Sequence, residues 1–266
     1  MKLIKKERKK VGIALGSGGA RGFCHIGVIE VLQENNIPID VVTGCSMGAL
    51  VAGAVAVGAP MREVAEASER VNDWTVFDVD ILGFRKSGGL ASGNRAMKLY
   101  KSIVGDNLIE GCKIPMAVIA TDLKSKSLYT FKSGEVWRGV RASMSIPGVF
   151  KPVVENGMVL VDGGVLRRMP IQEARDLGAD IVIAVDALGA PFNDINPASF
   201  IQILDLSITM MGWNSAQLEY KQADLVIVPD MGSRSQFSFK NNREAIAAGR
   251  KAAEMALPKI LKLIGR

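Results

Sequence analysis

The chain is poor in the residues that most often carry enzyme chemistry. Its 266 residues include one histidine, His25, and three isolated cysteines, Cys24, Cys45 and Cys112. An odd, scattered set of cysteines supplies neither a disulfide framework nor the paired spacing of a zinc site. No segment reaches the roughly 20 apolar residues of a membrane span. The apolar stretch 11–15 is too short for a signal-peptide core and runs into glycines. A reducing cytoplasm fits these absences best. The body of the chain also lacks net charge. Lys2, Lys5, Lys6, Arg8, Lys9 and Lys10 against Glu7 give the first ten residues +5 of the total +6, leaving +1 for the remaining 256. That balance excludes a basic nucleic-acid-binding surface. Residues 1–10 read as a basic N-terminal tail, either solvated or touching an anionic membrane, where each Lys or Arg is worth about 1 kcal/mol.

What is present is an apolar chain, 48% by residue type, large enough for one α/β domain over residues 11–266. Strands are expected at 11–15, 39–43, 114–121, 128–131, 181–186 and 225–229, with a hairpin over 153–161 around Asn156-Gly157. Helices are expected at 23–35, 61–71, 94–104, 136–142, 172–177, 197–222 and 243–264, the last carrying Pro258 as a point of kinking. Residues 72–93 follow no clean period and read as an insertion or cap. Alternating strands and helices, with strands that are continuously apolar, predict a mainly parallel central sheet covered by helices on both faces.

The most informative segment is Gly44-Cys45-Ser46-Met47-Gly48. A β-branched strand precedes it and a small-residue apolar helix, ending near Val57, follows. A serine at such a turn stands at the strand's carboxyl end over a helix amino terminus, where a nucleophile belongs. A serine hydroxyl needs a base. The spacing of His25 with Val28, Ile29 and Leu32 puts the lone histidine on an apolar helix face, as a packed structural residue. The base is then a carboxylate. Asp162 closes the run Val159-Leu160-Val161 and precedes Gly163-Gly164. An aspartate there either points into a site or opens a hairpin turn.

A third element, Gly16-Ser17-Gly18-Gly19-Ala20-Arg21-Gly22, follows a strand and opens a helix, so its N–H groups can converge on an anion. A P-loop is disfavoured because no Gly-Lys-Ser/Thr follows. A loose dinucleotide fingerprint, Gly16, Gly18 and Gly22 with Asp40 further on, leaves the serine turn unexplained. An oxyanion hole is the third reading, with about 3–4 kcal/mol of barrier per donor.

Taken together, Ser17-Gly18-Gly19-Ala20-Arg21-Gly22, Gly44-Cys45-Ser46-Met47-Gly48 and Asp162-Gly163-Gly164 resemble, in order, the motifs of the patatin-like phospholipase family. Ala120-Thr121-Asp122-Leu123, the run from Arg141 to Phe150, and Gly178-Ala179-Asp180 resemble its bacterial branch, and the likeness spans about residues 11–230. The resemblance implies a three-layer fold and a histidine-free dyad, with Ser46 as nucleophile and Asp162 as base. It assigns the oxyanion hole to the N–H groups of Gly18 and Gly19, with Arg21 holding the loop. It implies no cofactor and no metal, and a lipid ester as substrate: phospholipid, lysophospholipid or acylglycerol. Ser17 departs from the glycine common in the family. Arg167 and Arg168 read either as solvated or as flanking the site mouth toward an anionic headgroup. Residues 72–93 and 200–213 read either as core or as an acyl channel or membrane contact. The competing function is a catalytically weak lipid- or membrane-binding protein.

Overall fold

The computed structural model describes residues 8–78, 88–191 and 200–266, except for the side chains of Phe200 and Ile201. Among these residues the strands are β1 (Val11–Leu15), β2 (Val41–Cys45), β3 (Gly89–Ala91), β4 (Met116–Asp122), β5 (Ser127–Phe131), β6 (Gly148–Phe150), β7 (Val153–Glu155), β8 (Met158–Asp162), β9 (Ile181–Val185) and β10 (Leu225–Ile227). The helices are α1 (Cys24–Glu34), α2 (Met47–Val57), α3 (Met61–Ser68), α4 (Asp73–Val76), α5 (Asn94–Val104), α6 (Val136–Ser143), α7 (Ile171–Asp176), α8 (Phe200–Tyr220) and α9 (Asn242–Leu263).

The main sheet runs β10-β9-β1-β2-β4-β8-β7, with β5 also paired to β4. The strands from β10 to β4 are parallel, as expected. Strands β5, β8 and β7 are antiparallel, so the sheet is mixed at one end. Strands β3 and β6 form a separate parallel pair.

Period-2 alternation sorts side chains between the two faces of the sheet. Val11, Ile13 and Leu15 of β1 join Ile181, Ile183 and Val185 of β9 in a core shared with α1, α2 and α9. Ala14, Val182 and Ala184 face the other way, toward Ile171 and Ala174 of α7 and Ala216 of α8. Burying one Val or Ile side chain is worth about 1.5–3 kcal/mol, so these two faces fix the register.

One pairing decides where the chemistry sits. β2 pairs with Met116–Ile119 of β4, and β5 pairs with Val118–Asp122 on the opposite edge. β8 pairs with Ala120–Asp122, so it must share the edge used by β2. The two strands therefore meet head-on: Cys45 is opposite Ile119 and Asp162 is opposite Ala120. Asp122 secures this arrangement by accepting the Val159 N–H at 3.0 Å.

Several boundaries differ from the sequence reading. β2 begins at Val41, not 39, because Asp40 is used to tie down the sheet's lower edge. It accepts the Val11 N–H at 2.8 Å and pairs with Arg8 at 2.6 Å. The basic run is thus anchored from Arg8 onward, with the Lys10 N–H on Asp180; residues 1–7 lie outside the described residues. The helix expected at 61–71 stops at Ser68. α9 is continuous through Pro258.

Candidate active site

Ser46 occupies the turn between β2 and α2 with φ 55° and ψ −123°, a strained conformation for a non-glycine residue. The flanking glycines make the turn fit. A Cβ on Gly44 would collide with Ala49, and one on Gly48 would collide with the Leu15 carbonyl. The Ser46 carbonyl accepts the Ala49 N–H at 2.9 Å, and the Ser46 N–H donates to Ser143 Oγ at 2.9 Å. The strain is thus held from both sides. Ser143 went unassigned in the sequence, although it lies in the run from Arg141 to Phe150.

Asp162 is 3% exposed. Its Oδ1 accepts the Gly164 N–H at 2.8 Å and is approached by Cys45 Sγ at 3.7 Å. Its Oδ2 makes no well-aligned hydrogen bond. Burial raises its pKa to about 6; the neighbouring Ser46 hydroxyl, the Gly164 N–H and the Cys45 thiol pull it back only in part. Ser46 and Asp162 are therefore neighbours without a well-aligned hydrogen bond between them. Burial and the nearby carboxylates push the Cys45 thiol well above its usual range, so it stays a neutral donor.

The glycine loop converges on the same point. The N–H groups of Gly16, Ser17, Ala20 and Arg21 are committed to Val185, Arg168, Gln236 and Gly18 carbonyls. No partner is found among the described residues for the N–H groups of Gly18 and Gly19. Gly19 has φ +50°, and a Cβ there would strike the Gln236 carbonyl, so no other residue fits. Arg21 is buried and donates to the Arg234 and Leu188 carbonyls, tying the loop to two distant segments. Ser17, where the motif departs from glycine, places Oγ near Gly164.

His25 is fully buried and its Nε2 bonds the Gly16 carbonyl at 2.8 Å. That acceptor makes Nε2 the protonated nitrogen of a neutral ring. Burial lowers its pKa to about 4. It clamps the glycine loop and does not belong to the serine's hydrogen bonds. His25→Ala orphans the Gly16 carbonyl and is expected to cost about 1–3 kcal/mol. Chemical denaturation measures that loss, while Ser46 stays reactive toward a fluorophosphonate.

The structure bears on three sequence readings. Arg168 is neither solvated nor at a mouth: it is 2% exposed and bonded to the buried Asp186 at 2.6 Å. Tyr220 completes that network through the other Asp186 oxygen. Arg167 pairs with Glu173 at 2.6 Å. Asp40 precedes β2 and so lies at the opposite end of the parallel sheet from the glycine loop, which removes the dinucleotide arrangement.

From Ser46 and Gly19 an apolar cavity runs along Met47, Leu50, Val51 and Ala54 of α2, a rise of about 10 Å at 1.5 Å per residue. Residues of α3 and α5 form further walls, with Val71 and Val76 from the stretch between them, and aromatic residues Phe23, Phe150 and Phe239 also line it. The stretch expected to line a channel at 72–93 thus contributes Val76; its residues 79–87 lie outside the described residues. The described side chains of α8 do not line the cavity; Leu204 and Ile208 pack on the main core and Trp213 on the second.

Fold and site together define a three-layer α/β protein organised around a serine turn, a facing buried carboxylate and a glycine loop. The family model described as patatin-like phospholipase matches residues 13–175, and the chain belongs to that family. An uncharacterized NTE family protein of Mycobacterium tuberculosis is 36% identical over 194 residues, 71% of this chain and 52% of that protein. A lysophospholipase nte1 of Emericella nidulans is 35% identical over 182 residues, 67% of this chain and 12% of that protein. The chain thus spans about half the length of the mycobacterial relative and a small part of the fungal one. Among solved structures, VipD from Legionella pneumophila shares the fold, with TM-score 0.61 at 15% identity over 95% of this chain and 67% of that one.

Proposed function

We propose that the protein hydrolyses carboxylic esters of lipids through an acyl-enzyme formed on Ser46. The observation that carries this reading is the apolar cavity that begins at Ser46, between the buried Asp162 and the glycine loop. A hydrocarbon chain laid along α2 brings its carbonyl to the serine. The Asp162 carboxylate takes the hydroxyl proton as Ser46 Oγ attacks the carbonyl carbon. The developing oxyanion rests on the Gly18 and Gly19 N–H groups, which their surroundings leave uncommitted; Arg21 keeps that loop in place. As the intermediate collapses, the ester C–O bond breaks and the alcohol leaves with the proton from Asp162. Water, deprotonated by the same carboxylate, then attacks the acyl carbonyl; the acyl-serine bond breaks, the proton passes from Asp162 to Ser46 Oγ, and the fatty acid leaves.

Among lipid esters, a lysophospholipid is favoured by the likeness to the fungal lysophospholipase. Action at a lipid surface from the cytoplasm fits this reading, and no helix among the described residues is long and apolar enough to cross a membrane.

The base must be ionised, and its pKa is about 6. The rate constant kcat/KM is therefore expected to be level above pH 7 and to fall about tenfold per pH unit below 6. A profile on a short, water-soluble ester checks this; an acid limb near pH 4 would place the base in an unburied carboxyl. A panel of lysophospholipid, diacyl phospholipid and acylglycerol, run on wild type and Ser46→Ala, tests the substrate. Lipid binding without turnover would instead support a catalytically weak lipid-binding protein.

A further inference from the structure

Helix α5 is the cavity's outer wall, and its two faces differ sharply. Ala96, Leu99, Tyr100 and Ile103 line the cavity at i, i+3, i+4, i+7 spacing. The other face carries Arg95 and Lys98, both exposed and one turn apart. No acidic residue occurs in α5.

The adjoining α4 presents Trp74, whose ring is left in water at 82% exposure. Val71 and Val76, on either side of it in sequence, line the cavity, while the Trp74 ring itself faces solvent. The Arg95 guanidinium donates to the Trp74 carbonyl at 3.3 Å, which fixes the cation beside the ring's segment. Arg70, also exposed, lies at the same corner, its carbonyl accepting from Thr75 Oγ1.

The acidic groups nearby, among the described residues, already hold hydrogen bonds or ion pairs. Asp78 accepts from the Ser92 hydroxyl and from the N–H groups of Gly93, Asn94 and Arg95. Asp73 accepts the Phe239 N–H, Glu69 pairs with Arg243 and Asp106 pairs with Lys101. Arg70, Arg95 and Lys98 have no ion-pair partner among the described residues. An exposed indole seeks the headgroup depth of a bilayer, and unpaired cations seek anionic headgroups. An apolar cavity with half-buried walls at Ala67, Val71, Ala96 and Leu99 lies directly behind them.

We propose that Trp74, Arg70, Arg95 and Lys98 form the surface by which the protein settles on an anionic lipid bilayer, with the cavity's edge against the lipid. This places the membrane contact on α4 and α5, not on the basic N-terminal run. The proposal extends the hydrolase reading by saying how a lipid reaches Ser46, but the contact itself does not require a reactive serine.

The test is co-sedimentation of the full chain with phosphatidylcholine vesicles, with and without phosphatidylglycerol. Wild type is expected to bind the anionic vesicles, less tightly as salt rises. Trp74→Ala is expected to weaken binding roughly tenfold. The double variant Arg95→Glu/Lys98→Glu is expected to weaken it at least about 25-fold. Lys5→Glu/Lys6→Glu is expected to leave it within about twofold on the same scale. All three variants should hydrolyse a water-soluble ester at the wild-type rate, which shows that they fold. Equal binding to both vesicle types, no binding, or loss confined to the Lys5/Lys6 variant would overturn the proposal. If wild type fails on the soluble ester while the vesicle pattern holds, the hydrolase reading falls and the docking surface stands.

Discussion

Ser46→Ala is expected to abolish ester hydrolysis while leaving the fold intact. Removing a serine nucleophile from an acyl-transfer site costs about a million-fold in kcat. The bonds that hold the turn are made by the backbone of residue 46, to Ser143 and Ala49, and alanine keeps them. Alanine also tolerates φ 55° no worse than serine does, so stability should change by less than about 0.5 kcal/mol. The cavity walls are untouched, so the variant should still bind a lipid ester. Assays of hydrolysis and melting on one preparation separate these effects. Substantial turnover by the folded variant would remove Ser46 from the reaction.

Asp162→Asn is expected to do two opposite things: reduce kcat by at least about 10⁴-fold and raise stability at neutral pH. The first follows because an amide accepts no proton from Ser46. The second follows from linkage. Burial lifts the Asp162 pKa from 3.8 to about 6, so ionising this carboxyl costs the folded state about 3 kcal/mol. For a carboxyl shifted upward, the penalty is absent below the unfolded pKa and complete above the folded one. The amide escapes it and can keep its oxygen on the Gly164 N–H. The variant should therefore melt several degrees above wild type at pH 8, since 1 kcal/mol moves Tm by about 2–4 °C at this size. The gap should close between pH 6 and 4. An unchanged or lower melting temperature at pH 8, together with retained activity, would show that Asp162 is an ordinary turn residue.

The proposed pairing of Ser46 with Asp162 was only partly legible in the sequence. The serine turn depends on residues next to one another: a β-branched strand, two glycines and a small-residue helix. Short-range pattern was enough to place it. Its facing carboxylate depends on β8 sharing an edge of β4 with β2, a long-range antiparallel insertion that no local period encodes. Asp-Gly-Gly is equally good chemistry for a hairpin, so the residues alone offered Asp162 as the candidate base but left the turn reading open, and the resemblance favoured the base. β2 was placed two residues early because Gly44 and Cys45 are poor strand formers alone; pairing with Leu15 and Ile119 overrides that preference.

Arg168 was misread for the same reason, since its partner comes from a distant strand end. Adjacent arginines look solvated until Glu173 and Asp186 are brought beside them by the return of the chain. The lone histidine was correctly read as structural, but its clamp on Gly16 needed the loop to fold over α1. Residues 200–213 were read either as core or as an acyl channel or membrane contact, and Leu204 and Ile208 pack on the core. Met210 and Met211 instead face outward, at 56% and 80% exposure.

The most direct test of the central claim is an alkyl fluorophosphonate reaction at pH 7.5, read by intact mass and peptide mapping. One adduct per chain on Ser46, lost in Ser46→Ala and formed far more slowly in Asp162→Asn, is the result that a Ser46–Asp162 dyad predicts. Folded protein that takes up no adduct, or takes it up on a different residue, would contradict it.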